Sequence, residues 1–212
     1  NHPVQIDVSP GNATVEAIIQ RVFKVDRARK SELLIKLIIA GEWEQVLVFT
    51  RTKHGANNLC KKMINFSINA KAIHGNKSQT ARTAALAGFK DGSVNVLVAT
   101  DIAARGIDIP LLPHVVNFEL PNIPEDYVHR IGRTGRAGSN GEAISLVSID
   151  EYAYLEDIEK LINLKIPSSI PQGFELDPKI VPEPAKKKKN SSQKKSNKRS
   201  GKSRNNKRRF KR

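Results

Sequence analysis

Short apolar runs alternate with segments whose apolar residues recur at helical spacing, from residue 16 to residue 165. The runs 45–50 and 94–99 are almost wholly apolar, as expected for strands that are buried on both faces of a sheet. Further strands are predicted at 18–25, 70–73, 114–118 and 142–147, and helices at 29–39, 53–66, 79–90, 124–131 and 150–163, the last with Asp150 as its N-cap. Because strands and helices alternate, we predict an α/β domain in which a parallel sheet carries helices on both faces.

Three segments outside residues 16–165 lack this pattern. Residues 1–15 are polar and contain proline and glycine, so we expect an entry linker. Residues 166–185 are rich in proline without sustained periodicity, which predicts an extended segment that either docks a partner or folds back on the sheet. Residues 186–212 consist largely of Lys, Arg, Ser and Asn and cannot bury enough apolar surface to offset the entropy of ordering, so we predict a disordered basic tail.

The formal net charge of +15 is concentrated in that tail. Residues 186–212 hold 15 of the 36 Lys and Arg and no acid, and the remaining 21 basic residues equal the 21 Asp and Glu. A tail of this charge predicts non-specific binding to nucleic acid, attached to a body that is formally neutral. The single cysteine, Cys60, excludes an intrachain disulfide, and no apolar run approaches the roughly 18 residues that span a bilayer. Since the chain does not begin with Met, we expect it to be a piece of a longer protein.

Polar residues follow the predicted strands directly, and in open parallel sheets ligands bind outside the carboxyl ends of the strands. The fourth predicted strand is followed by Thr100, Asp101, Arg105, Gly106 and Asp108. The Thr100 hydroxyl can donate to a phosphate, Arg105 can pair with one, and Asp108 can accept from sugar hydroxyls. Two simpler interpretations stay open: Asp101 caps a short helix, and Asp108 forms an ion pair with Arg105.

Weaker candidates stand at the ends of two other strands. They are Thr50 and Arg51 at the end of the second strand, and Gly75, Gln79 and Arg82 after the third. The third group opens a predicted helix, and the N-terminus of a helix favours anions. The alternative is that Ser78 is simply an N-cap and that Gln79 and Arg82 lie on a solvated helix face.

The strongest signal is the segment from His129 to Gly138, in which arginines 130, 133 and 136 alternate with glycines 132, 135 and 138. Arginine presents a planar donor fork that suits phosphate oxygens, and glycine lets the backbone approach a ligand closely. No acid lies between Asp126 and Glu142 to neutralise these arginines. The segment therefore predicts a phosphate-binding element rather than a solvated basic loop.

A complete nucleotide site is missing from the sequence. A phosphate-binding P-loop needs Gly-x-x-x-x-Gly-Lys-Ser/Thr, and the nearest match, at Lys202, has Ser196 where the first glycine is required. No acidic cluster follows a strand in the position that would hold magnesium. Arginines without a nucleotide cradle predict half of a site, which another domain completes.

These segments resemble, in order, the motifs of the second half of DEAD-box RNA helicases. The region 49–52 is similar to motif IV, Gln79 with Arg82 to the family's Gln-x-x-Arg element, 100–108 to motif V, and 129–138 to motif VI. Residues 49–57 and 73–79 are most similar to the bacterial RhlE branch. The resemblance implies a RecA-like helicase C-terminal domain and a bacterial cytoplasmic location. The other half, an N-terminal RecA-like domain of the same chain, would carry the P-loop and the Asp-Glu-Ala-Asp box.

The resemblance also assigns roles to individual residues. Arg133 and Arg136 are expected to act catalytically on the γ-phosphate of ATP, and Asp108 is expected to contact its ribose. His129, Arg130, Gln79 and Arg82 are expected at the interface between domains. Expected RNA-binding residues are Thr50, Arg51, Gly75, Thr100, Asp101, Arg105 and Gly106. The magnesium that accompanies ATP would be held by the N-terminal half, so this fragment alone is expected to be inactive.

The implied activity is ATP-dependent, sequence-nonspecific unwinding of short RNA duplexes. Expected partners are RNA, single-stranded or in short duplexes, and proteins of RNA processing, ribosome assembly or the degradosome. One alternative is a non-enzymatic RNA-binding or annealing module that acts through the basic tail. Another is a related motor that acts on DNA.

Overall fold

The computed structural model describes residues 18–105, 107, 109, 112–134 and 141–181. Seven strands form one sheet: β1 (Ile19–Lys24), β2 (Val46–Phe49), β3 (Ala70–Ile73), β4 (Val96–Ala99), β5 (His114–Asn117), β6 (Glu142–Val147) and β7 (Ser168–Ser169). Six α-helices accompany them: α1 (Lys30–Ala40), α2 (Lys53–Ile64), α3 (Gln79–Lys90), α4 (Asp101–Ala104), α5 (Pro124–Ile131) and α6 (Tyr152–Ile162). Short 3-10 turns at Arg27–Arg29 and Ile149–Glu151 lead into α1 and α6. The predicted α/β, RecA-like architecture is thus confirmed.

The strands lie in the order β3-β4-β2-β5-β6-β1-β7, and all of the paired strands are parallel. Val46 of β2 is level with Val96 of β4 on one side and with His114 of β5 on the other. The carboxyl ends of β3, β4, β2 and β5 consequently form one continuous edge. The candidate residues that follow these strands are brought to this edge from distant parts of the sequence.

The two faces of the sheet are covered by different helices. Val46 and Val48 pack with α1 and α2 on one face, while Leu47 and Phe49 pack with α3 and α4 on the other. Helices α5 and α6 share the second face with α3 and α4 and cover β1 and β6. Because β2 buries alternate residues in both layers, its sequence is continuously apolar, as the prediction of a central strand requires.

The proline-rich segment folds back on the sheet. Its residues Ser168–Ser169 pair with β1, and Val22 N donates to Pro167 O over 2.9 Å. Phe174 is 2% exposed and lies in the core beside α1, with the Arg29 guanidinium 4.4 Å from its ring centroid. Of the two interpretations of this segment, the structure therefore shows packing against the domain. The predicted linker 1–15 and tail 186–212 lie outside the described residues.

The predicted start of the last helix is wrong. Asp150 was expected to cap a helix beginning there, but Ser148 is the cap of a 3-10 turn, and α6 begins at Tyr152. Ser148 and Glu151 form a reciprocal capping box, which a serine followed three residues later by glutamate can make and Asp150 cannot. The second helix also ends earlier than predicted, at Ile64, since Ser67 takes a left-handed φ of 60°.

Candidate functional site

The edge formed by the carboxyl ends of the central strands carries most of the described candidate residues. Gly75 follows β3, Thr100 follows β4, and Thr50 and Arg51 follow β2. Thr100 N donates to Ile73 O over 3.3 Å, which joins the ends of β4 and β3. Three of the candidates, Gly106, Asp108 and Arg136, lie outside the described residues.

Helix α5 positions the arginine segment against the segment that follows β4. Pro124 begins this helix, where its missing N–H is tolerated, and His129 and Arg130 lie in the last turn. The two segments enclose a shallow cleft. Its lining includes Phe49, Asp101, Arg105, Asp126, His129, Arg130 and Arg133. The structure thus brings together residues that the sequence places about 30 positions apart.

Arg130 is buried and contacts residues at the carboxyl ends of three strands, β2, β4 and β5. Its Nε and Nη2 donate to the two Asp101 carboxylate oxygens over 2.6 and 2.8 Å. Its Nη1 donates to Asn117 Oδ1 over 3.0 Å and to Glu119 O over 2.7 Å. The guanidinium also lies 5.0 Å from the ring centroid of Phe49. Four of its five N–H donors therefore hold the domain itself together. Asp101 serves as the partner of Arg130 rather than as a helix cap, and α4 instead has Thr100 at its N-cap position.

Arg133 lies one turn further on and is much less constrained. Its backbone is fixed, because its N–H donates to Arg130 O over 3.1 Å and its carbonyl accepts from Leu112 N over 3.1 Å. Its half-exposed side chain makes one hydrogen bond, from Nη1 to Ile107 O over 3.3 Å. No carboxylate of the described residues forms an ion pair with it. As far as the chain is described, Arg133 therefore presents a positioned positive charge without an ion-pair partner.

Arg51 is held in place by acidic neighbours. Its backbone N–H donates to Glu119 Oε2 over 2.9 Å, and its Nη2 donates to Glu151 Oε1 over 3.2 Å. The guanidinium also lies 5.6 Å from the ring centroid of Tyr154. Thr50 beside it is completely buried, with its hydroxyl directed to the Thr52 carbonyl over 3.3 Å. In this conformation Arg51 presents only part of its surface, and Thr50 lies beneath the surface of the site.

A buried ion pair supports this end of the site. Lys30, at the start of α1, pairs with Glu151 and also donates to Phe118 O over 3.1 Å. Burial lowers the pKa of the Lys30 ammonium, against the opposing charge of Glu151. Glu151 further accepts from Leu120 N over 3.1 Å, so it links three segments beneath the edge. Neither residue is predicted from the sequence, since a lysine at a helix start and a glutamate in a polar turn usually lie on the surface.

The loop after β3 is organised by a neutral histidine. His74 is 3% exposed, and burial lowers the pKa of its imidazole, helped by the positive charges of Lys77, Lys53 and His54. Its Nδ1 accepts from Asn76 N over 3.3 Å, so its Nε2 carries the proton and donates to Asn57 Oδ1 over 3.2 Å. Gly75 is exposed, and a Cβ added to it would meet nothing within 4 Å. The domain itself therefore leaves open space over this backbone, which a ligand can approach closely.

Helix α3 begins beside that loop. Ser78 is its N-cap and accepts from Ala81 N over 3.2 Å, so the N-cap interpretation is confirmed. Gln79 Oε1 accepts from Arg82 Nη1 over 3.2 Å. The Nε of Arg82 is buried and has no hydrogen-bond partner among the described residues. Arg82 thus retains a donor that the domain, as far as it is described, does not satisfy.

Arg105 borders the cleft from α4. Its Nη2 lies 2.7 Å from Asp126 Oδ1, and its side chain is 66% exposed. Exposed ion pairs of this kind contribute about 0–1 kcal/mol, so Asp126 can release Arg105 to a phosphate at little cost. The alternative pairing of Arg105 with Asp108 involves a residue outside the described part of the chain.

Within the described ranges, no group of three or more His, Cys, Asp or Glu side chains is arranged to hold a metal ion. No helix in the described part of the chain has both the length and the apolar character needed to cross a membrane. The described candidate residues at the edge offer arginines, hydroxyls and open backbone, which are groups suited to binding anionic oxygens.

Comparison with known proteins places this arrangement in a family. The model of the helicase conserved C-terminal domain matches residues 29–138, just over half of the chain. The ATP-dependent RNA helicase RhlB of Pseudomonas syringae is 38% identical over 169 residues, which cover 80% of this chain and 43% of RhlB. The chain thus spans less than half the length of this relative.

Two solved structures have the same fold. The Escherichia coli DEAD-box protein SrmB, crystallised with regulator of ribonuclease activity A, matches with a TM-score of 0.72 and 36% identity, covering 79% of this chain and 98% of that one. Saccharomyces cerevisiae Dbp5, bound to RNA and ADP BeF3, matches with a TM-score of 0.67 and 32% identity, covering 74% of this chain and 42% of Dbp5. Together with the arginine segment at the carboxyl edge, these matches show that the chain belongs to the helicase conserved C-terminal domain family, as the C-terminal domain of a DEAD-box RNA helicase.

Proposed function

We propose that this domain is the C-terminal motor half of an ATP-dependent helicase that locally opens short RNA duplexes. In this proposal ATP binds between the domain and an N-terminal RecA-like domain of the same protein. The domain contributes arginines to the phosphates and part of the surface that binds RNA. Catalysis requires both halves, so the isolated fragment is inactive.

The observation that carries the proposal is the contrast between two neighbouring arginines. Arg130 is 2% exposed and pairs with Asp101, whereas Arg133 has a fixed backbone, a half-exposed side chain and no ion pair within the described residues. An arginine that is held in place and left uncompensated is suited to an anion from outside the domain. Arg133 therefore fits a role at the γ-phosphate, where such arginines stabilise the charge that develops during transfer.

This domain supplies only part of the nucleotide site in our proposal. Arg133 would contact the γ-phosphate, Arg136 would act beside it, and Asp108 would contact the ribose. Bound ATP and Mg²⁺ supply the phosphoryl group and the charge neutralisation for its transfer. The magnesium ligands are assigned to the N-terminal domain, as the resemblance to DEAD-box helicases implies.

The RNA side of the proposal rests on the neighbouring strand ends. Gly75 leaves its backbone open, Thr100 is half-exposed at the end of β4, and Arg105 is held only by an exposed ion pair. These groups suit the sugar-phosphate backbone, which carries no base sequence, and their arrangement therefore supports non-specific binding. The related Dbp5 was solved with RNA, which supports RNA as the ligand of this edge.

The proposed mechanism is closure of the two halves. Arg133 reaches the nucleotide and the strand-end groups reach RNA only when the N-terminal domain lies against the same edge. Each ligand thereby shares the free-energy cost of closure with the other. A bent single strand that fits the closed edge cannot remain paired, so a short duplex opens locally. Loss of phosphate removes the partner of Arg133 and lets the halves separate.

We further propose that the protein is bacterial and cytoplasmic and that it is similar to the RhlE branch. It would act on RNA in RNA processing, in ribosome assembly or in a degradosome. The similarity of residues 49–57 and 73–79 supports the branch, and the matched RhlB and SrmB proteins come from bacteria. SrmB was crystallised with a regulator of ribonuclease activity, which supports a protein partner of this class.

The test is ATP hydrolysis with and without single-stranded RNA, measured on this fragment and on the complete protein. We expect a silent fragment and a complete protein that RNA stimulates. Arg133→Ala and Arg136→Ala should each reduce turnover by about 10³-fold or more, since arginines in this role contribute roughly 10³–10⁵ to the rate.

Two controls sharpen this experiment. Arg133→Lys keeps the charge but loses the donor fork, and should remain strongly impaired. Arg27→Ala removes an exposed arginine that lies 3.6 Å from Asp150 and does not line the cleft at Arg133, and it should leave turnover unchanged. Hydrolysis by the fragment alone, or full activity of Arg133→Ala, would contradict the proposal and favour a binding module that acts through the tail.

A further inference from the structure

Charge is distributed unevenly within the formally neutral body. Between Glu44 and Asp91 the sequence contains no acid. The same stretch contains eight Lys and Arg: Arg51, Lys53, Lys61, Lys62, Lys71, Lys77, Arg82 and Lys90. The neutrality of the body therefore hides a strongly basic stretch, residues 45–90.

The fold gathers this basic stretch at one end of the sheet. Residues 45–90 form β2, α2, β3 and α3, and β3 is the edge strand in the order β3-β4-β2. Helix α2 covers this end on one face and α3 covers it on the other. Sequence neighbours are thus also spatial neighbours, and the excess charge forms a flank of the domain beside Gly75.

Four lysines of this flank have neither an ion pair nor a side-chain hydrogen bond among the described residues. Arg51 pairs with Glu151, Lys62 donates to Ser31 Oγ over 2.9 Å, and Arg82 bonds Gln79. By contrast, none of the described carboxylates forms an ion pair with four other lysines of the stretch. These four, which we call the basic flank, are Lys53, Lys61, Lys71 and Lys77.

The opposite end of the sheet differs. Its exposed basic residues stand beside acids: Arg21 lies 2.8 Å from Glu142, Lys160 lies 3.3 Å from Asp157, and Lys165 is bonded to Glu159 over 2.5 Å. Solubility alone would favour interspersed charges of both signs, as found there. The basic flank departs from that distribution, which indicates a ligand of negative charge.

Three lysines of the flank, Lys53, Lys71 and Lys77, act electrostatically on the same buried groups, which agrees with their grouping by the fold. Lys77 and Lys53 both lower the pKa of His74, after burial as the larger cause. Lys77 and Lys71 both oppose the effect of burial, which raises the pKa of the Cys60 thiol to about 11. Lys77 lies two residues after Gly75, Lys53 begins α2 and Lys71 lies on β3, so the fold places all three at the same end of the sheet.

One simpler explanation accounts for part of the flank. A lysine on an edge strand prevents pairing with the strands of other molecules, and Lys71 lies on the edge strand β3. That explanation does not apply to Lys53 on a helix or to Lys77 in a loop. Lys53, Lys71 and Lys77 together are better explained by a ligand that meets all three.

We propose that the basic flank binds the phosphodiester backbone of an RNA segment that continues beyond the strand held at the carboxyl edge. This inference rests on the proposed function, since it takes RNA as the ligand of that edge. Lysines are suited to this task as point charges that attract phosphate without fixing its orientation. The flank would strengthen binding to long RNA without taking part in the chemistry at Arg133.

The test compares two triple variants of the complete protein. Lys53, Lys71 and Lys77 are changed to Gln in the flank variant, and the exposed Lys36, Lys160 and Lys179 are changed to Gln in the control. Both lose three charges and keep the same tail, and thermal unfolding checks that both are folded. Affinity is measured against salt for oligouridylates of about 10 nucleotides, within the site size of one binding domain, and of about 40.

For the long RNA, we expect the flank variant to bind several-fold more weakly and its log–log salt slope to become shallower by about 2, since each lost phosphate contact contributes about 0.7. The control should match the unaltered protein, and ATPase activity at saturating short RNA should be unchanged in both. Equal affinities and salt slopes for the flank and control variants would overturn the inference. Protection of the edge strand from pairing would then remain as the explanation for Lys71. Absence of RNA stimulation in the unaltered protein would instead contradict the proposed function, whatever the flank does to affinity.

Discussion

Arg130 and Arg133 lie three residues apart in the same glycine-rich segment, and their spacing does not show which of them the domain buries. Helix α5 ends at Ile131, so Arg130 still points from the helix toward β4 and β5, where Asp101 and Asn117 meet it. Arg133 lies beyond the helix end and meets only the Ile107 carbonyl among the described residues. Position relative to the helix end therefore separates a structural arginine from one that is available to a ligand.

This difference predicts that the same substitution at the two positions changes the free energy of unfolding by very different amounts. Arg130→Met should lower the free energy of unfolding by about 3 kcal/mol, because removing one partner leaves Asp101 and Asn117 without their donor in a largely dry site. Arg133→Met should change it by no more than about 0.5 kcal/mol, as expected for a surface position. Denaturant unfolding of the two variants and the unaltered chain measures both values. A large loss at Arg133 and none at Arg130 would reverse our assignment of the two roles.

At the scale of elements, the segment 166–181 packs against the domain and adds to its sheet and core. β7 extends the sheet by one short strand beyond β1, and Ile166 is buried among the residues of α6 and β1. Phe174 covers the end of the core beside α1, with the Arg29 guanidinium against its ring. The Arg29 Nη2 also donates to Gly173 O over 2.7 Å, so one side chain holds both the ring and the backbone of the segment.

Removal of that ring tests how much the segment contributes. Phe174→Ala should lower the free energy of unfolding by about 3–5 kcal/mol, the usual cost of emptying a fully buried aromatic site. Val181→Ala is a matched control, since Val181 belongs to the same segment and is 76% exposed. Chemical denaturation should show a loss for Phe174 only. A loss below about 1 kcal/mol would mean that the segment rests on the domain without stabilising it.

The elements themselves were largely predictable, because apolar periodicity reports burial directly. Strands β3 and β6 and helices α3 and α5 have the predicted bounds, and the other predicted elements differ by one to two residues at their ends. β7 was not predicted, since Ser168 and Ser169 are exposed and pair only through their backbone, which has no apolar signature. The Lys30–Glu151 pair was also missed, because a charge is buried only when a distant partner is present, and the partner lies 121 residues away.

The edge of the sheet at which the candidate residues lie was predictable from their order along the chain. Parallel topology guarantees that residues after β4 and β2 reach the same edge, so Thr100 and Arg51 were correctly placed at the carboxyl ends. Which of these residues hold the domain together and which are available to a ligand was not predictable. Burial of Thr50 and the pairing of Asp101 with Arg130 depend on side-chain positions that only the folded structure defines.

At the scale of the whole molecule, the two proposed anion-binding surfaces differ in character. The cleft at Arg133 has a fixed geometry and suits one phosphate group, while the basic flank is open and suits an extended backbone. Both lie at the end of the sheet formed by β3, β4 and β2, so a second domain that closes over this end would bring nucleotide and RNA into one assembly. Closure then becomes the common step through which the two ligands influence each other.

Such a shared step makes a reciprocal prediction for the complete protein. A non-hydrolysable ATP analogue should raise the affinity for short single-stranded RNA, RNA should raise the affinity for the analogue by the same factor, and couplings of this kind are typically about 5–150-fold. Arg133→Ala should reduce both factors equally, because it weakens the contact that forms only on closure, while Arg27→Ala should leave both unchanged. Fluorescence anisotropy with labelled RNA and labelled nucleotide measures the four affinities for each protein. If Arg133→Ala weakens nucleotide binding but leaves the coupling factor intact, then Arg133 binds nucleotide without sensing closure, and the link between the two sites must pass through other residues of the edge.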